Sequence, residues 1–149
     1  MILHRITTKA YTHDLSGTGA LLYGGRWNSR GVRMLYTSGS LSLAALEIIA
    51  NLSGDKLSNN LYCVEMTFPD HLPVETLDPL PKKWNAYPQQ AATVKTGNDF
   101  VKNGGLCLKV PSAIIPSEYN YLLNPMHDLF NEVRFLDARP LILDQRLLK

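Results

Sequence analysis

A chain of 149 residues fits one domain with a real core, so a single domain over residues 1–149 is expected. With 45% hydrophobic and 19% charged residues it is too apolar to be disordered. A formal net charge of +2 without any Lys/Arg run makes no case for a nucleic-acid partner, and no stretch approaches the length of a membrane span.

Residues 2–7 read as a first strand, and Arg5 interrupts what would otherwise be the apolar run of a secretory leader, so a cytoplasmic protein is expected. Residues 12–19 are polar and glycine-bearing and read as loop. Gly17-Thr18-Gly19 has the third glycine of a dinucleotide loop in the wrong place and no surrounding βαβ unit. A short apolar run, 21–23, leads into Gly24-Gly25, and residues 28–31 carry a turn signal. Residues 32–38 alternate as a strand, with Val32, Met34 and Tyr36 on one face and Arg33, Leu35 and Thr37 on the other.

Ser40 suits the N-cap of a helix over 41–52. That helix is apolar almost all round, which predicts packing on several sides, and its narrow polar gap holds Ser40, Glu47 and Asn51. A carboxylate on such a helix is costly without a partner or a task, so Glu47 is expected in a crevice or a wet seam rather than in open solvent. Residues 53–60 form a polar loop, 61–68 a strand ended by Pro69, and 72–77 a further strand broken by Asp78-Pro79-Leu80-Pro81. Pro88 suits the first turn of a helix running to about Asn103, stopped by Gly104-Gly105 and weakened by Gly97. Residues 106–110 make a short strand, 119–125 an Asn- and Tyr-rich loop, 126–131 one helical turn, and 133–136 with 141–143 two closing strands. The pattern is α+β, with a mixed or mainly antiparallel sheet. Cys63 and Cys107 lie in apolar segments and are expected to be reduced core thiols, and no zinc spacing is present.

Taken singly, the polar residues leave two readings open. Arg26 and Arg30 flank Trp27 and Asn28 between glycines, as an anion-binding turn or as a solvated hairpin. Glu47 is either functional or paired with an arginine. Tyr36 and Ser112 have ordinary sheet and turn readings, the amides of 120–125 serve backbone or ligand, and the four histidines are scattered as surface or structural residues.

Taken together in order, Gly24-Gly25-Arg26-Trp27-Asn28, Tyr36-Thr37-Ser38, Ala44-Ala45-Leu46-Glu47, Val110-Pro111-Ser112 and Asn120 through Pro125 resemble the RES domain, the toxin half of Xre–RES toxin–antitoxin systems. The arginine, glutamate and serine of the family name fall on Arg26, Glu47 and Ser112. The resemblance spans nearly the whole chain, with little signal between 70 and 103.

It implies a split mixed sheet with flanking helices, similar to ADP-ribosyltransferases, holding NAD as substrate rather than as a prosthetic group. It also implies NAD depletion or ADP-ribosylation of a protein. The partner it implies is a Xre-like helix-turn-helix antitoxin that covers the active site in a hetero-oligomer.

The chemistry then expected is cleavage of the nicotinamide–ribose bond through an oxocarbenium-like transition state. Glu47 stabilises the ribose cation, Tyr36 stacks on nicotinamide, Arg26 grips pyrophosphate or ribose, and Ser112 bonds a ribose hydroxyl or the carboxamide. Trp27 and Asn28 are second choices for the cleft lining. Nicotinamide leaves neutral, so no strong general acid and no metal are required. An RNA-cleaving toxin or a binding module is the more distant alternative, disfavoured by the weak charge.

Overall fold

The computed structural model describes residues 1–52 and 60–148. The predicted loop 53–60 therefore lies outside the described residues, apart from Asn60.

Among the described residues, seven strands form one sheet in the order β4-β5-β6-β2-β1-β3-β7. β1 (Ile2–Thr8) pairs antiparallel with β3 (Leu61–Thr67) along its whole length, from Ile2 opposite Thr67 to Thr8 opposite Leu61. The edge strand β7 (Arg134–Pro140) lies on β3, with a bulge between Glu65 and Met66. In the other half β2 (Leu35–Ser38) pairs with β6 (Tyr119–Leu123), and β6 with β5 (Cys107–Pro111). The two-residue β4 (Glu75–Thr76) adds a parallel pairing, on β5. The halves meet where β1 runs beside β2, and there only His4 and Ser38 stand in register. This thin junction is the split of the sheet.

Period-two alternation divides the core. Leu3, Leu35, Val64, Met66, Cys107 and Leu123 point to one face and build a cluster with Phe68, Leu72, Leu106 and Val133. Met34, Leu108, Val110 and Leu122 point to the other, where Trp27 and Phe100 join them. Each large aliphatic side chain so buried contributes about 1.5–3 kcal/mol. Both cysteines are buried and free; burial pushes the Cys63 thiol pKa up and that of Cys107 up to about 12.

Helix α2 (Leu41–Asn51) starts as expected, Ser40 Oγ accepting from the Leu43 amide at 3.1 Å. Only Leu43 and Ala44 are buried in it. The expected packing on several sides is not found: α2 lies on one face of the sheet against β1 and β2, and its far side is half-buried or exposed.

Helix α3 (Ala91–Lys102) buries Thr93, Gly97 and Phe100, one stripe at helical spacing. Gly97 weakens the helix on propensity but is needed for packing, since a Cβ there would sit 1.7 Å from the Trp27 carbonyl oxygen. The helix begins at Ala91, after Pro88, and Gly104 ends it at φ +79°.

Several boundaries moved. Residues 18–23 coil into the short helix α1 (Thr18–Tyr23), where loop and then an apolar run were expected. The strand expected over 32–38 begins at Leu35, and that over 72–77 shrinks to β4. The Asn/Tyr-rich segment expected as loop is β6, because it has a strand to pair with on each side, and tertiary pairing overrides the turn preference of Asn. Of the two closing strands, the first is β7, which runs on to Pro140, and residues 141–143 are not strand. The helical turn expected at 126–131 is a 3-10 turn at Asp128–Glu132. Among the described residues no helix is long and apolar enough to cross a membrane.

Candidate active site at the split of the sheet

A cleft of about 760 Å³ opens over the split, a size that suits a small-molecule ligand. The turn after α1, strand β2, helix α2 and strand β6 bring Arg26, Tyr36, Glu47 and Asn120 to its lining.

Glu47 is held by neutral donors. Ser112 Oγ and Asn120 Nδ2 both donate to its Oε1, each at 2.7 Å. Among the described residues no arginine or lysine pairs with it, so the ion-pair alternative is not what the fold built. Both donors are themselves fixed. The Ser112 hydroxyl accepts from the amides of Ile114 and Ile115, and Asn120 Oδ1 accepts from Ser38 Oγ at 2.7 Å. The Ser38 bond sets the amide orientation so that Nδ2 faces the carboxylate. Since both bonds converge on one oxygen, among the described residues none reaches Oε2.

Ser112 is fully enclosed and stands behind Glu47, outside the cleft lining, so its hydroxyl faces the carboxylate where the sequence reading had it on a substrate oxygen. Asn28 is likewise 1% exposed and absent from the lining. Its Nδ2 donates to the carbonyls of Ala20, Ser29 and Val32, and its Oδ1 accepts from the Tyr36 hydroxyl at 2.7 Å. Asn28 is the knot of the glycine-flanked turn. Trp27 reaches the cleft wall but belongs to the core beneath it, 3% exposed against Phe100.

The Tyr36 hydroxyl is saturated, donating to Asn28 and accepting from the Trp27 amide at 3.0 Å. Burial drives its pKa well above the usual tyrosine value, against the smaller opposing effects of the Trp27 bond and the Arg26 charge. The phenol is neutral and anchored, which leaves its ring for the cleft. Gly25 permits this, since a Cβ there would come within 2.7 Å of the hydroxyl.

Arg26 Nη1 donates to the carbonyls of Trp84, at 2.9 Å, and Ala86, at 2.7 Å. It thereby ties the segment carrying Asn85, Tyr87 and Gln89 to the cleft wall. Nε and Nη2 take no partner among the described residues.

Three features escaped the sequence reading. Asn120 appeared only as one of two loop amides; Asn124, the other, is spent on backbone. Ser38 gave no signal beyond its place after Tyr36. His4, grouped with structural histidines, borders the cleft. The remaining histidines do serve structure: His127 caps a 3-10 turn, His71 pairs with Glu132, and His13 lies against Phe135.

An anchored carboxylate, a neutral tyrosine and a partly free arginine thus gather around one cleft of an α+β sheet, the kind of constellation a small-molecule enzyme site requires. The chain belongs to the RES domain family, whose model matches residues 2–144. It is 38% identical to a protein named Toxin Res from Photorhabdus laumondii, over 100% of this chain and 98% of that one. It is 36% identical to a Prs ADP-ribosylating toxin from a Sphingobium species, over 97% and 95%. Among solved structures, a chain of the M. tuberculosis MbcT–MbcA toxin–antitoxin complex superposes with a TM-score of 0.74. That match covers 94% of this chain and 83% of that one at 16% identity, which establishes a shared fold.

Proposed function

We propose that this protein, acting as one RES domain over 1–149, is the toxin of a toxin–antitoxin pair and arrests growth by cleaving the nicotinamide–ribose bond of NAD. One observation carries the reading: Glu47 presents a carboxylate to the cleft, clamped through a single oxygen by Ser112 and Asn120. A rigid anion in a partly desolvated site stabilises a developing ribose cation without reorganising.

The remaining residues follow from their geometry. Nε and Nη2 of Arg26 take the pyrophosphate or a ribose oxygen, and the Tyr36 ring covers nicotinamide. Ser112 acts as a positioning residue, through Glu47, and Asn28 acts through Tyr36. The bond breaks heterolytically: nicotinamide leaves with the electron pair as a neutral base, and water or inorganic phosphate adds to the ribose carbon. The name of the Sphingobium relative favours a second reading, transfer of ADP-ribose to a protein side chain. The toxin names and the fold shared with a toxin–antitoxin complex support an antitoxin partner, which we assign to the Xre-like helix-turn-helix class.

Purified protein incubated with NAD, with and without phosphate, tests this by nicotinamide release. Wild type is expected to deplete NAD and Glu47→Ala to leave it intact. No loss above the Glu47→Ala control sinks hydrolysis and phosphorolysis alike. Labelled NAD in lysate separates the second reading, which requires a discrete labelled protein band.

A further inference from the structure

We propose that His4, Cys63 and Glu65 form a binding site for a divalent transition metal of the zinc class, on the cleft-facing side of the β1–β3 pair. Their ligand atoms all lie within 4.8 Å of one another. Strand register brings them together: His4 stands directly opposite Glu65, and Cys63 precedes Glu65 by two residues on the same face of β3. About sixty residues of chain separate His4 from its partners, which is why no zinc spacing appears in the sequence.

His4 Nδ1 is buried and has no hydrogen-bond partner among the described residues, and the Glu65 carboxylate is 3.7 Å away. A buried imidazole nitrogen without a hydrogen bond, beside a carboxylate and a thiol, offers a lone pair that a metal ion would take up. Imidazole nitrogen, thiolate sulfur and carboxylate oxygen together suit zinc, not the hard oxygen-seeking magnesium or calcium. Three protein ligands leave a fourth position for water, and His4 borders the cleft, which supplies the entry path.

A cation already stands near this position. Arg139 Nη2 donates to Glu65 Oε1 at 2.8 Å, and its Nη1 to Asp137 Oδ2 at 3.3 Å. Arg139 lies on the edge strand, 45% exposed, where ion pairs contribute little. On metal entry it releases Glu65 and keeps Asp137. The Cys63 thiol gives its proton to solvent on ligation. Charge then balances: metal (+2) and Arg139 (+1) against Glu65, Asp137 and the Cys63 thiolate. The site lies outside the Glu47 hydrogen-bond cluster and does not rest on the NAD reading.

Untagged, metal-stripped protein titrated with Zn²⁺ by calorimetry, and with Co²⁺ by absorption, tests it. One equivalent is expected to bind, with a sulfur-to-cobalt charge-transfer band and a Tm that rises with Zn²⁺. Cys63→Ser and Glu65→Gln should each weaken binding by about tenfold or more, at least what loss of an outer-shell partner costs elsewhere. Arg139→Ala should tighten it by removing the competing cation. Should Cys63→Ser fail to fold, the Glu65 and Arg139 variants decide. Absence of the charge-transfer band, or equal zinc affinity in wild type, Glu65→Gln and Arg139→Ala, overturns the proposal.

Discussion

Replacing Glu47 by glutamine removes a charge while leaving the acceptor geometry intact. Both clamping bonds converge on one oxygen, so a glutamine carbonyl can accept the 2.7 Å bonds from Ser112 and Asn120, and the amide nitrogen takes the place of Oε2. Hydrogen bonds to a charged acceptor contribute about 1.5–3 kcal/mol each, against about 0.5–1.5 for neutral ones, so two bonds lose about 2–3 kcal/mol in total. The carboxylate desolvation that is no longer required offsets much of this. A net change of about 1 kcal/mol moves Tm by ~2–4 °C in a chain of this size. Loss of a preorganised charge at the reacting centre costs about 3–4 kcal/mol, or roughly 10²–10³ in kcat. Nicotinamide release, NAD binding by calorimetry and thermal unfolding are the three measurements. The expected triple is activity down about 10²–10³, NAD binding kept, Tm nearly kept. A loss below about tenfold, ~1.4 kcal/mol, refutes the electrostatic role. A protein that unfolds while activity per folded molecule survives refutes it too, and leaves Glu47 a structural acceptor.

Ser112→Ala removes one donor to Glu47 and the acceptor for two backbone amides. Stability should fall by about 1–3 kcal/mol in thermal unfolding, and kcat should drop more than KM rises, because the hydroxyl acts through Glu47. Arg26→Ala should raise KM roughly 10–100-fold and speed amide exchange over residues 84–89, which lose their tie to the cleft wall. Tyr36 should resist ionisation well above the ordinary tyrosine range when phenolate absorbance of wild type and Tyr36→Phe is followed into alkali. Its folded pKa lies above the unfolded value near 10, so the unfolded chain loses that proton first, and Tyr36's contribution to stability is lost as pH rises from about 10 through the folded pKa. Early ionisation of Tyr36, or stability flat across that range in comparison with Tyr36→Phe, contradicts the buried, doubly bonded hydroxyl.

Local rules carried much of the fold. The Ser40 cap, the alternation of Met34, Leu35 and Tyr36 between two cores, and the free thiols all follow from neighbouring residues, and the structure bears them out. They failed where pairing partners lie far away. Residues 119–123 read as loop until β2 and β5 are placed on either side of them. Gly97 looks like a flaw in α3 until the Trp27 carbonyl is seen against it. Half-burial of α2 depends on which layer covers it, a matter of assembly rather than periodicity.

The ordered motifs that carry Arg26, Tyr36, Glu47 and Ser112 were enough to suggest the family, which the match over residues 2–144 shows, and to nominate the residues, because residue type and order are one-dimensional information. Their division of labour is three-dimensional. Tertiary structure turned Ser112 and Asn28 inward as supports, spent one arm of Arg26 on the 84–86 carbonyls, and brought Asn120 and Ser38 beneath Glu47. A hydrogen bond has a length and a direction, and strands distant in sequence meet only when the sheet closes. The carboxylate's partners were therefore decided by register across β5, β6 and β2, not by anything within reach of Glu47 along the chain.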